Sequence, residues 1–409
     1  MSRTTDRRGD ADGFPRAVVV DDSPFMRGVI TDLLSDAGIT VVGEAGDGAE
    51  ALSVVADERP DVVTMDVEMP GMGGLEAVER LMAETPTPVL MLSAHTDEGA
   101  EVTFEALERG AVDFFAKPGG EVSAGVSRES DRLAEAVRSV ADADLDAANR
   151  SRVSSTRAVD ATTESGDSTA QSGTTTTRSG RTATATAEDD RDDRDAEDDR
   201  DDRDAEDDRD AASDPPSAAT MDPLTVIIGA STGGPNAVER VMASLPRVDC
   251  RVVIVQHMPE AFTPRFADRL DAVSAYDVSE ADDGARIGPG EALVARGGTH
   301  TRIESYRAGR MRVRLEADDS LPVAPSVDVT MRSAAETVDD PLVGVILTGM
   351  GSDGSEGIRA MNAAGARTLA QSEDTCVIYG MPRRAVETGT IDEVHDLDGV
   401  ADAVFEGVA

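Results

Sequence analysis

From Ala141 to Thr220 the chain runs for 80 residues without an apolar repeat at the helix or strand period, so one continuous core cannot extend through its 409 residues. The first half of this stretch is rich in Ser, Thr and Ala. The second half repeats AEDDRDDRD from Ala187 and from Ala196, then ends with a truncated AEDDRD from Ala205. A nine-residue unit whose only apolar residue is Ala cannot build the stacked core of a solenoid. The stretch reads as a disordered, solvated linker, with an acidic partner-binding tract as the rival reading. As a flexible coil it would span roughly 45 to 55 Å. Two folding units remain, 14–140 and 221–409.

The first unit alternates apolar runs with stretches of helical spacing such as Leu75, Val78, Leu81 and Met82. The runs are Ala17–Asp22, Thr40–Ala45, Asp61–Asp66, Pro88–Ala94 and Val112–Pro118. Short runs without polar alternation are strands buried on both faces, which predicts an α/β fold with a five-stranded parallel sheet covered by helices. In the second unit Leu224–Ser231, Cys250–His257 and Pro341–Met350 repeat the pattern, predicting a second α/β domain. Between the last two, alternation around Ala308 and Gly309 predicts a hairpin.

Composition narrows the chemistry. All but one of the 39 basic residues are Arg, the exception being Lys117, so no P-loop, SxxK pair or Schiff-base lysine is available outside its context. The four histidines show no paired metal-ligand spacing, and Cys250 and Cys376 form no CxxC. The N-terminus is polar, and no uncharged apolar run approaches the ~18 residues of a membrane span. These features predict a cytoplasmic protein that does not insert into a membrane. The 81 acidic residues give a net charge of -42, and aromatic residues are only 3%, both unfavourable for nucleic-acid binding.

In a doubly wound sheet ligands bind at the carboxyl ends of the strands. Asp21 and Asp22 end the first run, Asp66 the third, Ser93 the fourth and Lys117 the fifth. Three converging carboxylates repel unless a cation sits among them, and a hard, oxygen-liganded ion such as Mg²⁺ suits that set. In the second unit, GASTG from Gly229 fits GxSxG between a strand and a helix, which exposes the Ser231 hydroxyl beside backbone N–H donors. Alone, such a turn can equally cradle a phosphate or nucleotide. His257 ends the next strand, where it can serve Ser231 as general base, and His300 is its rival. Asp353, in the glycine-rich turn after the third strand, can orient the imidazole.

The first unit resembles the receiver domain of two-component response regulators, which have a flavodoxin-like fold. The resemblance implies that Asp66 accepts a phosphoryl group from a histidine kinase and that Asp21, Asp22, Asp66 and the Glu68 carbonyl hold Mg²⁺. It also implies that Ser93 and Lys117 contact the phosphoryl oxygens. It places Phe114 at an aromatic switch position and a cis-prone bond at Lys117–Pro118. Taken together, GASTGGP, QHMP from Gln256 and LTGMGSDG from Leu347 resemble the catalytic domain of the chemotaxis protein-glutamate methylesterases, the CheB family. That likeness implies Ser231 as nucleophile, His257 as base, Asp353 as orienting acid, the Met350 amide as an oxyanion donor and Thr232 as an auxiliary. It implies, as substrates, the methylated glutamates and certain glutamines of methyl-accepting chemotaxis receptors, with no cofactor for the esterase reaction.

Two alternatives stand beside this reading. One is a receiver controlling a DNA-binding output, for which only the Arg302, Arg307, Arg310, Arg312 and Arg314 cluster argues. The other is a nucleotide-dependent output, which leaves His257 and Asp353 idle. The charge is spread widely, at -15 over 14–120, -14 over 121–220 and -13 over 221–409. Such uniform acidity is expected of a halophilic protein, in which high salt screens self-repulsion. The spacer departs from the family pattern and, by lowering local concentration, makes autoinhibition by docking a weaker expectation than the chemistry.

Overall fold

The computed structural model describes residues 14–93, 97–117, 126–148, 223–318 and 320–406. The acidic repeats lie outside the described residues, as does Pro118 with the Lys117–Pro118 bond.

The first sheet contains β1 (Arg16–Val20), β2 (Thr40–Ala45), β3 (Val62–Asp66), β4 (Val89–Ser93) and β5 (Asp113–Ala116). The order is β2-β1-β3-β4-β5, and every pairing is parallel. β3 and β4 are buried at each position, which is why they read as unbroken apolar runs. Helices α1 (Pro24–Asp36), α2 (Gly48–Glu58), α3 (Gly74–Glu84), α4 (Asp97–Arg109) and α5 (Val126–Ala141) make the crossovers. Ile30 and Leu34 of α1 pack with Leu133 and Val137 of α5 in one apolar cluster, while Val55, Leu81 and Leu107 of α2, α3 and α4 belong to another. Polar side chains cap two of these helices: Ser23 Oγ accepts the Met26 N–H, and Asp47 accepts that of Glu50.

The packed structure continues past the expected boundary at 140/141. Residues 141–148 are packed, with a helical turn at 145–148 and with Ala147 and Ala148 buried. The Asp144 carboxylate accepts the Ala147 N–H at 3.0 Å, which caps that turn. Alanine and aspartate also fill the spacer, so composition does not separate the two.

The second half contains β6 (Leu224–Ala230), β7 (Cys250–Gln256), β8 (Asp277–Glu280), β9 (Arg286–Ile287), β10 (Glu291–Val294), β11 (His300–Arg307), β12 (Arg310–Glu316), β13 (Leu342–Ile346), β14 (Arg367–Gln371) and β15 (Glu393–His395). Seven of these form a parallel sheet of order β15-β14-β13-β6-β7-β10-β8. The expected hairpin is β11 and β12, joined by β9 in a three-stranded antiparallel sheet. Its arginines face acidic partners: Arg302 pairs with Glu336 at 3.6 Å, Arg310 with Glu291 at 3.2 Å, and Arg312 and Arg314 both with Glu304. Helices α6 (Gly234–Ser244), α7 (Thr263–Val273), α8 (Val327–Thr337), α9 (Ser355–Ala363), α10 (Met381–Glu387) and α11 (Leu397–Phe405) complete this half. No described helix is long and apolar enough to cross a membrane.

Each sheet has one place where the order of strand addition reverses, between β1 and β3 in the first and between β6 and β13 in the second. The crevices at these points are the natural ligand sites of such sheets.

Candidate functional site

At the first crevice, Asp21 and Asp66 are buried and Asp22 is exposed, and oxygens of the three carboxylates lie within 4.8 Å of one another. Lys117 reaches in from the end of β5, its Nζ 2.8 Å from Asp21 Oδ2 and 2.7 Å from Asp66 Oδ1. The Lys117 N–H donates to the Ser93 carbonyl at 2.8 Å, which ties the ends of β4 and β5 together. Ser93 itself is buried, and the Glu68 N–H points at Asp66 Oδ1 from 3.4 Å. Burial raises the Asp66 pKa, the Lys117 ammonium opposes that, and the Asp21 charge adds to it. For Lys117 burial pulls the other way, but the Asp21 and Asp66 carboxylates outweigh it and hold the ammonium above the usual lysine value. Three hard oxygen donors crowded this closely fit Mg²⁺.

At the second crevice, β6 delivers Ser231 between β13 and β7. The register pairs Ala230 with Gln256, and the His257 N–H donates to the Ala230 carbonyl at 3.0 Å, so Ser231 and His257 leave neighbouring strands at one level. The Ser231 N–H donates to the Thr348 carbonyl at 3.1 Å, and its own carbonyl accepts from Gly234 N–H and from Gln256 Nε2. Gly233 turns the chain with φ +73°, a conformation suited to glycine. Gly349 passes so close that a Cβ there would lie 2.8 Å from Ser231 Cβ. The Ser231 hydroxyl has no hydrogen-bond partner among the described residues, His257 included.

His257 Nε2 lies 2.8 Å from Asp353 Oδ2, which leaves Nδ1 as the ring nitrogen free to serve Ser231. The Asp353 carboxylate also accepts from Ser326 Oγ at 2.9 Å, the Val327 N–H at 2.7 Å and the Asp328 N–H at 3.0 Å. Burial alone would raise its pKa, but His257 and the amides at the start of α8 outweigh burial and lower it. The rival His300 is occupied elsewhere: it is buried, its Nδ1 accepts the Ser326 N–H at 3.2 Å, and its Nε2 faces the Asp318 carbonyl at 3.2 Å.

The second half, over residues 226–404, matches the family model described as CheB methylesterase, and residues 17–123 match the response regulator receiver domain. A protein-glutamate methylesterase/protein-glutamine glutaminase of Haloarcula marismortui is 53% identical, covering 97% of this chain and 98% of its own length. The chain belongs to this methylesterase/glutaminase family. Proteins of the same name from Natronomonas pharaonis and Halobacterium salinarum are 49% and 48% identical, each over 96% of this chain and over 97% and 98% of their own lengths. A DNA-binding or nucleotide-dependent output is not favoured, because a methylesterase model accounts for nearly all of the second half.

Contrary to the expectation drawn from spacer length, the receiver half packs on the methylesterase half. Phe114 lies 4.5 Å from Phe262 and Phe104 lies 5.9 Å from Phe266, centroid to centroid, the latter pair stacked. Arg269 of α7 meets Glu108 of α4 at 2.7 Å and lies over the Phe104 ring. Val377, Ile378 and Met350 join one apolar cluster with Val137 and Val140 of α5, and the Asp144 N–H donates to the Val377 carbonyl at 3.0 Å. Aromatic and apolar contacts of this kind supply docking energy that tether length does not remove.

The seam reaches the serine site. Thr232, next to the candidate nucleophile, is buried, with Ser139 of α5 3.5 Å from its hydroxyl and the Asp113 carboxylate of β5 hydrogen-bonded to it. Burial pushes the Asp113 carboxyl up to about 7, against the pull of the Phe114 N–H, Thr232 and the nearby His257. Sequence reasoning missed Asp113, Ser326 and Gln256. Only Gln256, inside QHMP, carried a local signal.

Proposed function

We propose that the chain is a protein-glutamate methylesterase and protein-glutamine deamidase of chemotaxis receptors, working in the cytoplasm under control of a histidine kinase. The observation that supports the reading is that Ser231 and His257 leave neighbouring strands at one level beside the switch point, with Asp353 hydrogen-bonded to His257. His257 Nδ1 takes the Ser231 proton as Oγ attacks the carbonyl carbon of a methylated glutamate. The tetrahedral oxyanion is met by backbone N–H groups, that of Met350 among them, with the Thr232 hydroxyl assisting. His257 then protonates the departing methoxide, and methanol leaves. Water, deprotonated by the same imidazole, attacks the acyl-serine, yielding glutamate and free Ser231. For a glutamine side chain the same steps release ammonia. Asp353 stays ionised throughout and holds the imidazole in orientation.

In the receiver, Asp66 is the phosphoryl acceptor, and Lys117 and Ser93 contact the transferred group. Asp21, Asp22 and Asp66 with the Glu68 carbonyl would hold Mg²⁺, which neutralises charge on the phosphoryl oxygens. In the unphosphorylated chain the docked receiver occupies Thr232 and crowds Met350, so phosphorylation acts by weakening the seam. Methanol release from a methylated receptor fragment tests the reading: Ser231→Ala abolishes it, and Asp66→Asn keeps basal release but loses stimulation by a phosphodonor. Persisting release in Ser231→Ala overturns the mechanism.

A further inference from the structure

Beside the serine site a cleft of about 430 Å³ opens between α9 and α10, lined by Ser352, Ser355, Arg359, Arg384, Glu387 and Thr388. Ser352 directly precedes Asp353, so the cleft begins on the loop that carries the candidate orienting acid. Its two guanidiniums bring positive charge to one cleft in a half-chain whose net charge is -13. Among the described residues each pairs only with an exposed neighbour on its own helix, Arg359 with Glu356 at 3.2 Å and Arg384 with Glu387 at 2.8 Å. Such i,i+3 pairs are weak and exchange readily for a better-placed carboxylate. The Ser355 hydroxyl oxygen is buried at the cleft wall and has no hydrogen-bond partner among the described residues. A buried donor left without an acceptor is costly, and an anion in the cleft supplies that acceptor.

We propose that this cleft is a substrate subsite that takes a carboxylate side chain lying one or two helical turns from the reacting glutamate or glutamine. This rests on the function proposed above. A helix laid across the carboxyl edge of the sheet presents such side chains ~5 and ~11 Å from the ester. Arg359 and Arg384 grip the carboxylate through paired N–H donors, and Ser355 Oγ donates to it. Recognition by geometry-bound guanidinium pairs persists in high salt better than long-range attraction, which salt screens. Glu387 sets the opposite limit: it repels a carboxylate that is not seated between the arginines.

The test compares wild type with Arg359→Gln/Arg384→Gln in molar KCl on two substrates, a methylated receptor cytoplasmic fragment and the neutral ester p-nitrophenyl acetate. Both arginines are exposed, and an unchanged unfolding midpoint verifies the fold of the variant. The expected result is a KM for the receptor fragment raised ~10-fold, the equivalent of one lost charge-assisted hydrogen bond, with kcat and p-nitrophenyl acetate hydrolysis unchanged. Neutralising the acidic residues one and two turns from the methylated glutamate should raise KM equally, without adding to the enzyme variant. An unchanged KM with methanol release intact overturns the subsite alone. Absence of methanol release by wild type overturns the function itself, and the subsite with it.

Discussion

Asp353 and Asp328 cap each other's helices. The Asp353 carboxylate accepts the Val327 and Asp328 N–H groups at the start of α8, while Asp328 Oδ1 accepts the Gly354 and Gly357 N–H groups, at 3.0 and 2.6 Å, at the start of α9. The candidate orienting acid is therefore fixed by a residue that has no hydrogen bond to His257 among the described residues. Asp328→Ala orphans two donors and should cost ~1–2 kcal/mol of stability, read by denaturant unfolding. The loosened loop should lower kcat by ~10-fold with little change in KM. Asp328→Asn, whose amide oxygen can still accept, should recover much of both.

Docking should depend on pH through Asp113. Its carboxyl is pushed up to about 7 at the seam against an ordinary value of 3.8, so the docked state holds a proton that the released state gives up. Docking is therefore unpenalised below pH ~4, weakens as pH climbs, and carries the full penalty above pH ~7. Basal methanol release without phosphodonor should rise over that window, and more steeply than in Asp113→Asn. Asp113→Asn cannot ionise, so it should show lower basal release than wild type at pH 8 and a flatter profile. A variant more active than wild type at pH 8 would contradict this.

The aromatic contact between Phe114 and Phe262 joins β5 of the receiver half to the loop after His257. Such a pair contributes ~0.5–1.5 kcal/mol beyond burial, so Phe262→Leu should weaken docking ~2- to 10-fold. Basal activity should rise by that factor while phosphodonor-stimulated activity stays near wild type, giving a smaller stimulation ratio. Loss of both activities in parallel would indicate damage to the catalytic half instead.

Stability should rise with salt. The receiver region carries -15 and the methylesterase half -13, so raising KCl from 0.1 M to ~3 M, which shortens the screening length from ~10 Å to below ~3 Å, relieves repulsion within and between them. The unfolding midpoint should increase by ~10 °C or more over that range, and an unchanged midpoint would argue against salt adaptation.

Much of this was legible because parallel strands end on a common edge: once β1, β3 and β5 are recognised as buried runs, Asp21, Asp66 and Lys117 must meet. The same holds for Ser231 and His257 on β6 and β7. Short strands with polar positions, β8 and β15 among them, lacked a continuous apolar run and escaped recognition. Ser326 escaped because it is brought to Asp353 by a loop that carries no period, and Asp113 because its partner Thr232 belongs to the other half. The spacer misled in a particular way: it speaks to how far apart the halves can drift, whereas Phe104, Phe114, Phe262 and Phe266 decide whether they do.

Lys117 bridges Asp21 and Asp66 and is the chain's only lysine. Apart from the α-amino group, an acylating reagent therefore finds one side-chain amine in the sequence, in the carboxylate crevice of the first sheet. Its labelling rate is a built-in reporter of what occupies that crevice, readable in an intact-mass spectrum without any engineered probe.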